Sequence, residues 1–183
     1  TGYAGCGDDE RRAVNRYEAL QHAVRAHGQD TDWGGQLYVL HPMAVANRIN
    51  DGWASIPGTT RRHTFDSSEA LLEALTVVAL LHDVLEDTDY ELKEEWFTWA
   101  QWDALHRVTR WPDETYREYI EKAAGSPLSI IVKLADLSHN MSDERKMGLT
   151  EAQLEQAAGL QEKRYEPSRD RLWKALGAEW WPA

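Results

Sequence analysis

A histidine, two aspartates and a glutamate crowd into the stretch His82-Asp83-Val84-Leu85-Glu86-Asp87, directly after the apolar run Leu75-Thr76-Val77-Val78-Ala79-Leu80-Leu81. Ionisable groups are costly to bury unless they are paired or bind a metal. A second apolar run, Leu128 to Ala135, ends the same way, in Asp136 with His139-Asn140. On a helix Asp83, Glu86 and Asp87 stand at i, i+3 and i+4 and share a face, and His82 lies one turn below Glu86. Core helices that project His and carboxylate side chains inward commonly hold a metal. His41, followed by Pro42, would add a ligand from a separate helix. A single His-Asp pair in a helical protein is usually structural. Spacing alone therefore leaves a metal site and a structural cluster about equally supported.

The elements that must position these residues read as helices. Ala13, Val14, Tyr17, Leu20, Ala23 and Val24 recur at helical spacing from Asp8 to His27, with Gly28 as the stop. His41-Pro42 opens a second helix to about Asn50. Residues 51–66, with Gly52, Pro57 and Gly58, predict a long loop. Asp66 with Glu69 predicts the capping box of a central helix over 67–85, and Thr88 with Glu91 predicts another start. Further helices are expected over 101–108, 113–124 and 127–136, then from Thr150 to Leu176 with an interruption near Pro167. Ile130-Ile131-Val132 has no period-2 partner elsewhere, so no sheet is expected. The predicted fold class is all-α, a single helical domain over 1–183 of about seven or more helices with the polar cluster in its core.

The 183 residues carry 20 Lys and Arg against 31 Asp and Glu, for a net charge of −11. That balance argues against a general nucleic-acid binder. It leaves room for a small anion, because a divalent cation can reverse the field of a carboxylate-rich site. No stretch predicts a signal peptide or a membrane span. The lone cysteine, Cys6, suits a reducing compartment. A cytoplasmic protein without nucleic-acid or membrane partners is expected. Trp180-Trp181 offers a contact patch, and an oligomer stays open.

Taken together, the chain resembles the HD-domain alarmone hydrolases of the RelA/SpoT type, and especially the stand-alone small alarmone hydrolases. The matching pieces are His27-Gly28-Gln29; Gly35 and Tyr38 ahead of His41-Pro42 with Val45-Ala46; Leu81 to Thr88; Val108-Thr109; and Val132-Lys133-Leu134-Ala135-Asp136 with His139-Asn140-Met141. The resemblance implies an HD-type helical domain with one divalent metal, commonly Mn²⁺, held by His41, His82, Asp83 and Asp136. It implies Glu86 and Asp87 as the catalytic pair that orients and deprotonates water. Asn140 matches a residue that contacts the nucleotide sugar, and Arg110 stands where the family usually has a lysine near the phosphates. Tyr38 is a further substrate contact. The implied reaction removes the 3′-pyrophosphate of ppGpp or a similar alarmone.

The chain departs from that family between Gln29 and Tyr38, where a basic stretch is usual and Asp30-Thr31-Asp32-Trp33 stands instead. That puts guanine selectivity in doubt and leaves ppApp or another 3′-phosphorylated nucleotide open as the substrate, with Trp33 available to stack on a base or to pack on the surface. Arg61-Arg62-His63 in the long loop would act as a basic flap. A phosphatase acting on the 2′-phosphate of NADPH would use the same cluster. A reading from another class is an antitoxin or regulator, which would bind a partner or clear an alarmone made by a toxic synthetase.

Overall fold

The computed structural model describes residues 13–52 and 67–177. The Asp66 cap, the Arg61-Arg62-His63 flap, Cys6 and Trp180-Trp181 lie outside the described residues. The described chain is helical. Its one extended pairing is an isolated antiparallel bridge between Thr31 and Leu37.

α1 spans Arg16–His27. It starts later than the periodicity from Asp8 predicts, because Asn15 accepts from the amides of Tyr17 and Glu18 while Glu18 reaches back to the Asn15 amide. That reciprocal cap fixes the first turn. Gly28 closes it at φ +51, a conformation that favours glycine. α2 spans Leu40–Gly52 and buries His41, Val45, Ala46 and Ile49.

The central helix α3 spans Ser68–Leu81 and is capped by Ser67. Its last two turns, Ala74 to Leu81, are buried all round, as expected of a helix at the centre of a core. The helix predicted to run to residue 85 breaks at His82-Asp83 and resumes as α4, Val84–Asp87. The break has a local cause. Buried His82 hydrogen-bonds through Nδ1 to the Ala79 carbonyl at 2.8 Å, which turns its ring back onto the end of α3. Thr88 starts no helix. Its hydroxyl donates back to the Val84 carbonyl and accepts from the Tyr90 amide, leading into an irregular stretch.

α5 (Trp99–Val108) and α6 (Tyr116–Ala123) carry capping boxes at Thr98/Gln101 and Thr115/Glu118, so both begin within a few residues of the predicted starts. α7 spans Pro127–Asn140 and presents three faces. Leu128, Ile131, Val132 and Ala135 join the core of α1, α2, α3 and α5, and Ile130, Leu134 and Leu137 join a second cluster with α6 and Leu172. Lys133, Asp136 and Asn140, at i, i+3 and i+7, form the third. A short α8 (Asp143–Lys146) follows, then α9 (Glu151–Leu160), a π-helical turn (Gln161–Tyr165) and α10 (Glu166–Leu176). The interruption expected near Pro167 is this π turn. Proline has no N–H to offer the preceding turn, and the ladder widens by one residue just before it. α2, α3 and α7 pack against one another, so three helices bring their polar ends to one place.

Candidate active site

His41 comes from the start of α2, His82 and Asp83 from the turn after α3, and Asp136 from the third face of α7. Ligand atoms of His41, His82 and Asp136 all lie within 4.8 Å of one another, and all three residues are buried. Two ligands each about 2.2 Å from one ion stand at most about 4.4 Å apart, so the cluster is close to the size of a coordination shell. Asp83 adds Oδ2 at 3.3 Å from His41 Nε2 and Oδ1 at 3.1 Å from His82 Nε2. His41 Nε2 is also 3.2 Å from Asp136 Oδ1.

The donor set passes a more demanding check. His82 spends Nδ1 on Ala79, and its Nε2 is buried without a hydrogen-bond partner. Nδ1–H donation to a carbonyl leaves the Nε2 lone pair free, the arrangement usual for a metal-binding histidine. His41 has the same form, with Nδ1 2.6 Å from Nδ1 of buried His139 and Nε2 turned to the carboxylates. Two imidazoles and two carboxylates are a suitable set for a divalent cation such as Mn²⁺.

The charges agree with this. Burial would raise the Asp83 and Asp136 carboxyls. Asp83 is instead held well below the ordinary range by His82 and His41, and Asp136 by Lys133 and the same two histidines. Lys133 Nζ lies 2.5 Å from Asp136 Oδ2. Burial would lower the His82 imidazolium, but Asp83 and Asp136 raise it to about 10, so without a cation the cluster keeps a proton there.

Glu86 and Asp87 sit at the edge of this cluster on α4. Burial pushes both carboxyls above their ordinary values, reinforced by Asp83 and, for Glu86, also by Asp87. Each is held in place. The Arg110 backbone amide donates to Glu86 at 2.8 Å, and the Tyr38 hydroxyl lies 2.8 Å from Asp83 Oδ2 and 2.9 Å from Asp87 Oδ2. One phenolic proton is shared between a candidate ligand and a candidate base.

These groups open into a cavity of about 510 Å³, within the range of small-molecule sites. Trp33, Tyr38, Arg110 and Asn140 all line it. Three of these residues already have work inside the protein. Tyr38 bridges the two aspartates, Asn140 donates to Asp136 Oδ1 at 2.6 Å, and the Arg110 guanidinium turns to the Glu114 carbonyl. Trp33 is half exposed at the rim. The acidic loop that carries it is pinned. Asp32 accepts from the amides of Gly34 and Gln36 and from Arg145 at 2.6 Å. Gly34 passes so close to the Met147 carbonyl that a Cβ would collide with it.

Sequence reasoning assigned no role to His139, Lys133, Arg145, Lys146, Arg164 or Tyr116, which support or line the site. Lys133 and His139 stand inside the recognised motif, one helical step from Asp136, and that position was their only signal. The others reach the cavity through tertiary contacts alone. His22 and His106 are packing residues: His22 hydrogen-bonds Tyr90 and stacks on Trp96, and His106 meets Trp102 edge-on.

The fold and the cluster define an all-helical protein of the HD type, with a buried His/His/Asp group able to bind a metal ion. No family model matches the chain. It is 30% identical over 139 residues to a probable GTP pyrophosphokinase of Mycobacterium leprae, covering 69% of this chain and 15% of that protein. It is 28% identical over 150 residues to a probable guanosine-3′,5′-bis(diphosphate) 3′-pyrophosphohydrolase of Synechocystis, covering 74% and 18%. Against the Aquifex aeolicus guanosine-3′,5′-bis(diphosphate) 3′-pyrophosphohydrolase the figures are 29% over 134 residues, 67% and 17%. These similarities support the RelA/SpoT HD-domain family for this chain, which spans less than a fifth of the length of the curated relatives it matches.

Proposed function

We propose that the chain is a metal-dependent 3′-pyrophosphohydrolase of the small alarmone hydrolase kind. It would convert (p)ppGpp or (p)ppApp to the nucleoside 5′-phosphate and pyrophosphate. The observation that carries this reading is the pairing of two arrays on adjoining turns. One is the buried His41, His82 and Asp136 group with Asp83 beside it, and the other is the raised carboxyl pair Glu86 and Asp87 at the edge of the same cavity.

A bound divalent ion, with Mn²⁺ the proposed one, lowers the pKa of water and offsets phosphate charge. The protein's own residues do the rest. Glu86 and Asp87 take the proton from the attacking water, their raised pKa values bringing them closer to working pH than ordinary carboxylates. Tyr38 and the Arg110 amide hold the pair in register with Asp83. Lys133 and Asn140 fix Asp136, and His139 fixes the His41 ring. Trp33 offers a face to the base. Stacking is tolerant of base identity, which accords with either a guanine or an adenine alarmone. An antitoxin role, clearing an alarmone made by a toxic synthetase, would rest on the same hydrolysis.

The test is pyrophosphate release from ppGpp and ppApp, and phosphate release from NADPH, with and without Mn²⁺. Mn²⁺-dependent pyrophosphate release from one or both alarmones is expected. Release from NADPH alone, or release from none, would sink the reading.

A further inference from the structure

The acidic loop that carries Asp30, Thr31 and Asp32 has no part in the reaction proposed above, yet many contacts hold it. Inside the loop, the Asp32 amide donates to the Gln36 carbonyl at 2.9 Å, and the Asp32 carboxylate accepts from the amides of Gly34 and Gln36. The Tyr38 amide donates to the Asp30 carbonyl at 2.7 Å, which sets Tyr38 where the loop leads into α2. Across 113 positions the loop also meets the chain around the end of α8. Gly34 packs on the Met147 carbonyl, and Gly148, at φ +79, lies so near the Gly34 carbonyl that a Cβ would approach it to 2.8 Å. The Gln153 side-chain amide donates to the Trp33 carbonyl at 3.3 Å. The Asp32–Arg145 ion pair at 2.6 Å completes the seam, with side chains 13% and 21% exposed. Solvent screens such a pair less than a fully exposed one.

Arg145 also reaches the active site. The Ser142 hydroxyl caps α8 by accepting from the Arg145 amide at 3.3 Å and donates to the His139 carbonyl at 2.7 Å, so Arg145 is set from the end of α7. Its guanidinium lies over the Tyr38 ring, 5.7 Å from the centroid. The same ring packs on buried His27, with centroids 4.8 Å apart, and meets His41 edge-on at 5.8 Å. The hydroxyl of this ring bridges Asp83 and Asp87. A guanidinium is attracted to the face of a tyrosine ring, and Asp32 fixes where this one stands. An arginine already committed to a carboxylate and a ring is poorly placed to grip a phosphate.

We propose that Arg145 is a positioning residue: anchored by Asp32, it holds the Tyr38 ring so that the hydroxyl keeps Asp87 in register with Asp83. For its effect on turnover the inference rests on the hydrolase reading, which it deepens. The acidic loop then serves the carboxylates through Arg145 and Tyr38, without touching substrate through its own acids.

The test uses the full chain and its R145M, D32N, Y38F, R145M/Y38F and D32N/Y38F variants, each checked for folding by a thermal melt. With Mn²⁺ and ppGpp or ppApp, R145M and D32N should each lower kcat about tenfold with KM unchanged, as when a reacting group is misplaced. R145K, which keeps a cation beside Asp32, should recover part of the loss. In the Y38F background neither substitution should lower kcat further, because the phenol they act through is gone. An arginine that gripped substrate would give a different pattern. R145M would raise KM, D32N would lower it by freeing the guanidinium, and both effects would persist with Y38F. That pattern, or an unchanged kcat in R145M and D32N, would overturn the proposal. A readout independent of turnover separates it from the hydrolase reading. By NMR of tyrosine-labelled protein, the Tyr38 ring resonance, assigned from Y38F, should move in R145M and in D32N. If no alarmone is hydrolysed but that resonance moves in both, the hydrolase reading falls and the hold on Tyr38 stands. If hydrolysis occurs and the resonance stays in place, the positioning role falls alone.

Discussion

Glu86 and Asp87 differ from Asp83 in one physical respect. Burial raises all three carboxyls, but only Asp83 has two histidines close enough to overcome it. The same helical face therefore carries a group that stays ionised as a ligand and two that hold protons more readily. Glu86→Gln and Asp87→Asn should each lower kcat by about 10²–10⁴-fold, the usual range for losing a general base, while Mn²⁺ binding by calorimetry persists. A base works when deprotonated, so its raised pKa moves the loss of activity on acidification upward. The acid limb of kcat/KM should lie above the ordinary carboxylate range and should change in the Glu86→Gln and Asp87→Asn variants. His82 gives a prediction of opposite sign. Held near 10 by Asp83 and Asp136 against burial, it carries a proton at neutral pH, and a cation must displace it. Mn²⁺ binding at pH 7 should release about one proton, read from the dependence of the binding enthalpy on buffer ionisation. Sequence made these ligands legible because charge at the end of an apolar run is anomalous wherever it occurs. It gave no comparable sign for Arg145, which pairs with Asp32 across 113 positions.

Helix ends were legible where a side chain sets them. Thr150 with Gln153 forms a capping box at the predicted start of the last helical region, and Gly28 closes α1 as expected. Where tertiary contact sets the end, the pattern misleads. The central apolar run looks continuous through residue 85, yet α3 stops at Leu81 because the buried His82 ring takes the Ala79 carbonyl. That break places the cluster, since it turns His82 and Asp83 toward His41 while α4 carries Glu86 and Asp87 to the rim. The connection between α5 and α6 does the complementary work from the other side. Lys122 bonds the Thr109 carbonyl at 2.9 Å and Glu114 at 2.5 Å, and the segment between presents the Arg110 amide to Glu86. Lys122→Met should loosen that segment without touching the centre. The expected result is a severalfold fall in kcat with Mn²⁺ affinity retained and a stability loss of about 1 kcal/mol or less, as for a partly exposed ion pair. A fall in Mn²⁺ affinity equal to the fall in kcat would mean the segment acts on the ligands instead.

The whole molecule is arranged so that its buried ionisable groups lie among its apolar core helices. α2, α3 and α7 pack together through Val45, Ile49, Leu75, Val78 and Val132, and the same three elements deliver His41, His82-Asp83 and Asp136 to one point. Without a cation, carboxylates and imidazoles taken from water must balance one another there, and Lys133 supplies part of the balance. Asp83 and Asp136, held below their ordinary values, add stability that is present above the unfolded carboxyl range and is lost as pH falls through their depressed folded values. A divalent ion held by His41, His82, Asp83 and Asp136 would use ligands from three helices that the unfolded chain cannot offer together. Binding to the native state alone stabilises by about 2.7 kcal/mol at a hundredfold excess over Kd. For a chain of this length that is a rise in Tm of about 5–10 °C. Differential scanning calorimetry with Mn²⁺ and with EDTA should show this difference in the parent protein. Asp136→Ala should abolish it, leaving equal melts in both conditions. Glu86→Gln should keep it in full, because in the proposed mechanism its carboxylate serves the attacking water and not the ion. A Glu86→Gln protein that lost the Mn²⁺ shift as completely as Asp136→Ala would show that Glu86 belongs to the coordination set, and the division of labour between the two turns after α3 would have to be redrawn.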